Sequence, residues 1–270
     1  MRTQLRSWAI AASAMIAMLA PAIPPAAAQP GFKPPRLANG KPNLNGIWQA
    51  LNTANWDLQE HVSRPSLVVA TGTWAAEPGG PGVVEGGEIP YLPAALVKKK
   101  ANFEHRLGMD PEVRCYLPGV PRANYMPYPF QIFQSDKAFF IAYEYDGATR
   151  NVFLKDPGPA PADSWMGQSY GKWEGDTFVV DVTGMDERTW LDRSGDFHSD
   201  ALHVVERYTM TGPDVLQYEA TIEDPKTFSR PWKISMPLYK HVEKNARLME
   251  FKCVEFVEDL MYGEFTKKPK

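Results

Sequence analysis

The sequence predicts an all-β protein, an antiparallel meander that closes into a barrel, with an irregular proline-rich N-terminal arm and one helix. Three observations predict it. The chain carries 8 Trp, 11 Tyr, 13 Phe and 25 Pro, a composition that suits aromatic-lined strands joined by rigid loops and disfavours long helices. From residue 130 onward, short β-forming runs follow one another at the spacing of a meander. The breaks between them carry turn chemistry: Ser135-Asp136-Lys137, Glu174-Gly175-Asp176 and Gly212-Pro213-Asp214. Closure of such hairpins removes the exposed edges that an open meander would leave for aggregation. A small β-propeller or a two-sheet sandwich satisfies the same spacing and stands as the alternative.

Taken in order, residues 1–28 read as a secretory signal peptide. MRTQLRSWAIAASAMIAMLAPAIPPAAAQP has a basic start at Arg2 and Arg6, and its apolar centre from Ala9 to Ala20 is short for a bilayer span. Ala26 and Ala28 offer a cleavage site before Gln29. No cysteine follows the apolar run closely, and no Arg-Arg pair marks twin-arginine export. The expectation is a periplasmic or secreted chain of about 240 residues, with no membrane insertion after processing and enough length for one substantial core. A net charge of −3 and a pI near 6.0 supply no basic footprint for nucleic acid. Cys115 and Cys253, the two cysteines, would share an oxidising compartment. A disulfide and two buried thiols are both open, because a bridge needs Cα atoms within about 7 Å.

Residues 29–125 form the arm, the first strand and the helix. QPGFKPPRLANGKPN, 29–43, has no apolar period; LNGIWQA, 44–50, alternates as a strand; 75–90 is Gly/Pro punctuation. PAALVKKKANFEHRL, 93–107, is the one convincing helix, with proline in its first turn, Leu96, Phe103 and Leu107 near one side and its lysines on a solvated face. Residues 126–258 form the antiparallel β domain, with strands expected at 130–135, 138–145, 149–154, 166–173, 177–183, 201–211, 214–223, 231–239 and 246–256. Residues 259–270 are a tail. Gly46-Ile47-Trp48 resembles the G-x-W that opens the first strand of lipocalins, so the barrel implied is lipocalin- or calycin-like.

The strands have two unlike sides. Phe178, Val180 and Val182 share a core face, opposite Asp181. His203, Val205, Arg207 and Thr209 oppose Leu202, Val204, Glu206 and Tyr208, and Leu216, Tyr218, Ala220 and Ile222 oppose Gln217 and Glu219. If the polar face is solvated, nothing functional follows from it. If it lines a barrel, then His203, Asp181, Glu219 and Arg207 converge in a cavity as a catalytic acid/base set, with His203 as the proton-transfer group. Trp165, Tyr170, Trp190, His198, Asp200 and Tyr218 are then the ligand-binding candidates, the aromatic ones as an apolar wall and His198 and Asp200 at the rim. No metal and no other cofactor is expected. His198 and His203 lie five apart, on opposite faces of any strand, and would meet on zinc only if 197–200 folded back with Asp200 or Asp196 as a third ligand. H-E-x-x-H, C-x-x-C, EF-hand, G-x-S-x-G and phosphate-loop patterns are all absent from the sequence.

The stretch 164–225 contains GKWEGDTFVVD, TWLD and HSDALHVVER. It resembles a large group of exported bacterial proteins that share a G-[KR]-W-E-G-D-T-x-V-V-[DE] block and an H-S-[DE]-A-L-H-V-x-E-R block. The likeness extends to Cys115–Arg122, Pro129–Gln134, Pro231-Trp232 and the arm before Trp48, and so to most of the mature chain. The group has no agreed activity, so the resemblance implies export and no substrate. Residue by residue it covers Trp165, Gly171, Trp173, Glu174, Gly175, Asp176, Asp181, Trp190, Asp192, His198, Asp200, His203, Glu206 and Arg207. The residues leave two functional classes open, an exported cofactor-independent isomerase, lyase or hydrolase acting on a small aromatic or hydrophobic molecule, or a non-catalytic periplasmic carrier or sensor of such a molecule; a third is an envelope-associated interaction protein with no pocket.

Overall fold

The alternation of apolar and polar residues decides the strands, and their pairing closes the sheet. In the computed structural model, which describes residues 31–65, 76–257 and 260, the strands in chain order are β1 (Gly46–Ala50), β2 (Arg64–Pro65), β3 (Ala76–Glu77), β4 (Phe130–Gln134), β5 (Phe139–Tyr143) and β6 (Thr149–Phe153). They continue with β7 (Gln168–Glu174), β8 (Thr177–Thr183), β9 (His203–Gly212), β10 (Val215–Glu223) and β11 (Trp232–Lys240). β2 and β3 form a small sheet of their own; the other nine form one closed barrel in the order β1-β11-β10-β9-β8-β7-β6-β5-β4. The lipocalin-like all-β barrel is therefore the fold, and closure excludes the propeller and the sandwich.

Four expectations need correction. The first strand belongs to the barrel: β1 pairs with β11 on one side and β4 on the other, so no boundary at residue 126 separates an arm from a β domain. That seam also removes any edge on which 246–256 could add, and the segment forms no strand. The meander has one parallel step, β6 beside β7, which residues 154–167 make possible by running back along the barrel. Finally, the helix is α1 (Pro93–Glu104) followed by a short turn α2 (Arg106–Met109), and the residue it buries is Asn102, whereas Leu96 and Val97 are exposed. The signal peptide lies outside the described residues, as does the tail except for residue 260. Among the described residues no helix is long and apolar enough to cross a membrane.

Inward positions form the core of the barrel. Trp48, Phe130, Phe139, Ile141, Phe178, Val180, Tyr208, Tyr218, Ile234 and Leu238 are buried, and each large apolar side chain so buried contributes roughly 1.5 to 3 kcal/mol. Phe139 stacks on Phe178 at 4.2 Å between centroids. Gly171 makes room for that ring, since a Cβ there would lie 2.4 Å from Phe178 Cζ. The register separates two unlike ends. One carries the short hairpins 135–138, 175–176 and 213–214. The other gathers the segments 51–63, 105–129, 184–202 and 224–231 into a cap. Cys115 and Cys253 are bridged, with Cα atoms 5.6 Å apart, so the disulfide ties the cap to the chain beyond β11.

Candidate functional site

The expected catalytic set lies on the outside of the barrel. His203 Nε2 donates to Asp181 Oδ2 at 2.9 Å across β8 and β9, and its Nδ1 stands 3.5 Å from Glu223. Side-chain exposures of 35% for His203 and 47% for Asp181 put this pair on the solvent side. Arg207 pairs with Glu174 at 2.9 Å, also exposed, and Glu219 faces Arg207 across the β9–β10 ladder. The four residues share a face as the alternation required, but that face is the outer one. The reason is volume and hydration: the opposite face carries Val204, Tyr208, Leu216, Tyr218 and Ala220, and it is these that the barrel encloses.

One carboxylate travels inward with them. Glu206 is fully buried and accepts at Oε1 from Asn124 Nδ2 (2.6 Å), Tyr218 Oη (2.8 Å) and Tyr208 Oη (3.0 Å). Its Oε2 meets the guanidinium of Arg150, which reaches in from β6 and donates through Nε to Ser169 Oγ at 2.7 Å. Tyr143 Oη donates to Asn124 Oδ1 at 3.0 Å. Burial pushes the Tyr143 phenol up to about 12 and moves Tyr208 and Tyr218 well above the usual phenol range, so all three stay protonated donors. Burial by itself would lower the Arg150 pKa, but Glu206, helped by Tyr143 and Tyr208, raises it above the usual guanidinium range, so Arg150 stays charged. Its Nη1, buried, has no hydrogen-bond partner. The alternation groups Glu206 with an apolar face and the family resemblance alone singles it out; a lone carboxylate among inward Val204 and Tyr208 is the signal within the strand itself.

The cap holds a second polar cluster. The 3-10 turn Arg122–Asn124 sends Arg122 onto Asp110 (2.8 and 2.9 Å) and Glu112 (2.6 Å), and its Nε onto Asn55 Oδ1 (2.9 Å). Arg193 forks onto Glu112 from the other side, at 2.8 Å to each oxygen. Burial alone would raise the Glu112 carboxyl, but Arg193 and Arg122 hold it down at about 2. Next to it Asp57, Asp192 and Asp196 are buried together. Burial, with Asp196 beside it, pushes Asp192 well above the usual carboxylate range. Helix α1 packs on this cluster through its polar side: Lys99 Nζ donates to Ser194 O at 3.0 Å and stands 3.4 Å from Asp196, and Asn102 donates to Gly195 O. The expectation of a solvated lysine face thus fails at Lys99. Gly195, at φ +84°, is required by that packing, since a Cβ would meet Asn102 Cβ at 2.7 Å.

The expected ligand-binding residues are scattered. Tyr218 is inside the barrel on Glu206. Trp190 is buried in the cap, bridged to Phe197. His198 is buried beside it, with Nδ1 donating to Ser199 O and Nε2 facing the Thr189 hydroxyl; burial lowers its pKa, so it is held neutral. Asp200 is exposed and pairs with Lys226 at 2.6 Å. Trp165 stacks on Tyr116 at 4.7 Å under Arg188, and Tyr170 lies on the outer face opposite Asp181. They form no single wall, and His198 and His203 do not approach a common point. A scan against protein-family models and searches of curated proteins and of solved structures give no match for this chain.

Proposed function

We propose that the barrel receives a small hydrophobic or aromatic molecule bearing an oxygen acceptor, and that Arg150 anchors this oxygen while Glu206 supplies acid/base chemistry of the isomerase, lyase or hydrolase kind. The observation that carries this reading is Arg150 Nη1, a charged donor inside the barrel wall that makes no hydrogen bond, with the Tyr143 hydroxyl near enough to the guanidinium for Arg150 to pull the phenol's pKa down. Leaving such a donor unpaired costs about 1 to 3 kcal/mol, which a carbonyl or carboxylate oxygen of a ligand would recover. Tyr143, Tyr208 and Tyr218, whose hydroxyl protons go to Asn124 and Glu206, hold that carboxylate and amide in place beside the same point, and Phe130, Phe139 and Phe178 line the same interior with apolar surface.

A carrier of the same kind of molecule is the second reading, and one observation favours it. Glu206 already accepts from Asn124, Tyr208, Tyr218 and Arg150, and a carboxylate so engaged orients a ligand better than it moves a proton. Export belongs to the same proposal. It is supported by the order of charge, apolar run and small residues in 1–28, by the blocks shared with the exported bacterial group, and by the Cys115–Cys253 bridge, which suits an oxidising compartment.

Native mass spectrometry of the processed protein tests both, by identifying what co-purifies. Under the enzyme reading the wild type converts that molecule and Glu206→Gln still binds it without turnover. Under the carrier reading the wild type binds and converts nothing. A wild-type protein that neither carries nor takes up any such molecule sinks the proposal, and a mature chain that still begins at Met1 removes export.

A further inference from the structure

Asp57, from the segment after β1, and Asp192 and Asp196, from the segment between β8 and β9, each place a carboxylate oxygen within 4.8 Å of the other two, in the buried part of the cap. Their hydrogen bonds account for five of the six oxygens. Asp57 Oδ1 accepts from Gln59 N, and Oδ2 from Arg64 Nη2 and Ser194 Oγ. Asp192 takes two backbone donors, Asp196 N at Oδ1 and Leu58 N at Oδ2. Asp196 Oδ1 accepts from Tyr91 Oη at 2.8 Å. Asp196 Oδ2 is buried with no hydrogen bond. Lys99 Nζ stands 3.4 Å from it, long for a hydrogen bond, and donates at 3.0 Å to Ser194 O instead.

We propose that these three aspartates form a binding site for Ca²⁺, in which the ion takes the place of Lys99 as the partner of Asp196 Oδ2. The donor set is all oxygen, which suits hard cations and excludes the thiolate- and imidazole-seeking metals. Burial then chooses between the two common hard ions: Mg²⁺ keeps several waters and demands a tight octahedron, whereas Ca²⁺ accepts irregular carboxylate cages at about 2.3 to 2.6 Å. Oxygens on opposite sides of such an ion lie about 4.6 to 5.2 Å apart, and three oxygens within 4.8 Å of one another can share one. The ion would join two segments distant in the chain and so clamp the cap over the barrel mouth. Lys99 is its competitor, because the ammonium compensates the same carboxylates from α1.

The competition supplies the test. Full-length processed protein is stripped with a chelator and titrated with CaCl₂ and, separately, MgCl₂, with calorimetry and thermal unfolding as readouts. One Ca²⁺ per chain with a millimolar or tighter Kd, a raised Tm and at least tenfold weaker Mg²⁺ binding is the expected result. Asp196→Asn should weaken Ca²⁺ at least tenfold. Lys99→Met leaves all three carboxylates in place and should tighten Ca²⁺ binding several-fold, an effect that a purely structural lysine would not give. No Ca²⁺ binding by wild type or by Lys99→Met up to about 10 mM, beyond the weakest extracellular calcium modules, overturns the site and leaves Lys99 and a shared proton as the permanent counter-charges.

Discussion

Arg122 and Asn124 stand two residues apart on one 3-10 turn and serve opposite sides of the barrel mouth. Arg122 forks onto Asp110 and Glu112 in the cap, while Asn124 donates to Glu206 inside the barrel. The turn thereby joins the two buried polar clusters.

Glu206 and Arg150 should behave as one unit. Removing either charge leaves the other buried without compensation, so Glu206→Gln and Arg150→Met are each expected to cost about 3 to 5 kcal/mol. The double variant should cost clearly less than the two single losses together. Urea unfolding of the four proteins measures this, and additive losses would show that the pair is not coupled.

Glu112 should make the cap sensitive to acid. Its folded value of about 2 lies below the ordinary 4.5, so its contribution is present in full above about pH 4.5 and is lost as pH falls from there toward 2. The linked loss is about 3 kcal/mol. Glu112→Gln should be less stable at neutral pH and show a flatter decline between pH 5 and pH 2.5, which unfolding midpoints across that window would reveal.

The Cys115–Cys253 bridge closes 138 residues of chain, for which chain entropy gives about 5 kcal/mol. The Cys115→Ser/Cys253→Ser pair of substitutions should lower stability by up to that amount and leave the barrel strands intact. Denaturant unfolding with and without reductant checks it; a reduced wild type as stable as the oxidised one would contradict it.

His203→Ala should change little. The histidine shares an exposed face with Asp181, and exposed pairs contribute about 0 to 1 kcal/mol. Stability within 1 kcal/mol of wild type and unaltered ligand uptake are the expected outcomes. A selective loss of turnover would return the outer face to the active site.

Much of the barrel was legible because strand alternation and turn chemistry are local. The eight strands from β4 to β11 fall within a few residues of their expected places, since Phe178-Val179-Val180 or Glu174-Gly175-Asp176 carries its own instruction. The end of the chain was misread for a reason no local pattern contains: 246–256 has strand-like residues, but β1 already occupies the seam beside β11.

The sequence by itself determined that the β9 and β10 strands have two unlike faces, and which residues share each. Only the tertiary structure decided which face is inside. A period of two separates His203 and Arg207 from Val204 and Glu206 but does not say which set the barrel encloses, and Glu206 is carried inward because its neighbours on that face are the large apolar ones. A buried charge is stabilised by its partners, and these lie far off in the chain: Arg150 is 56 residues from Glu206, and Ser194 is 137 from Asp57. Such pairs exist only once the sheet has closed and the cap has folded over it, so the polar interior is a property of closure and not of any segment.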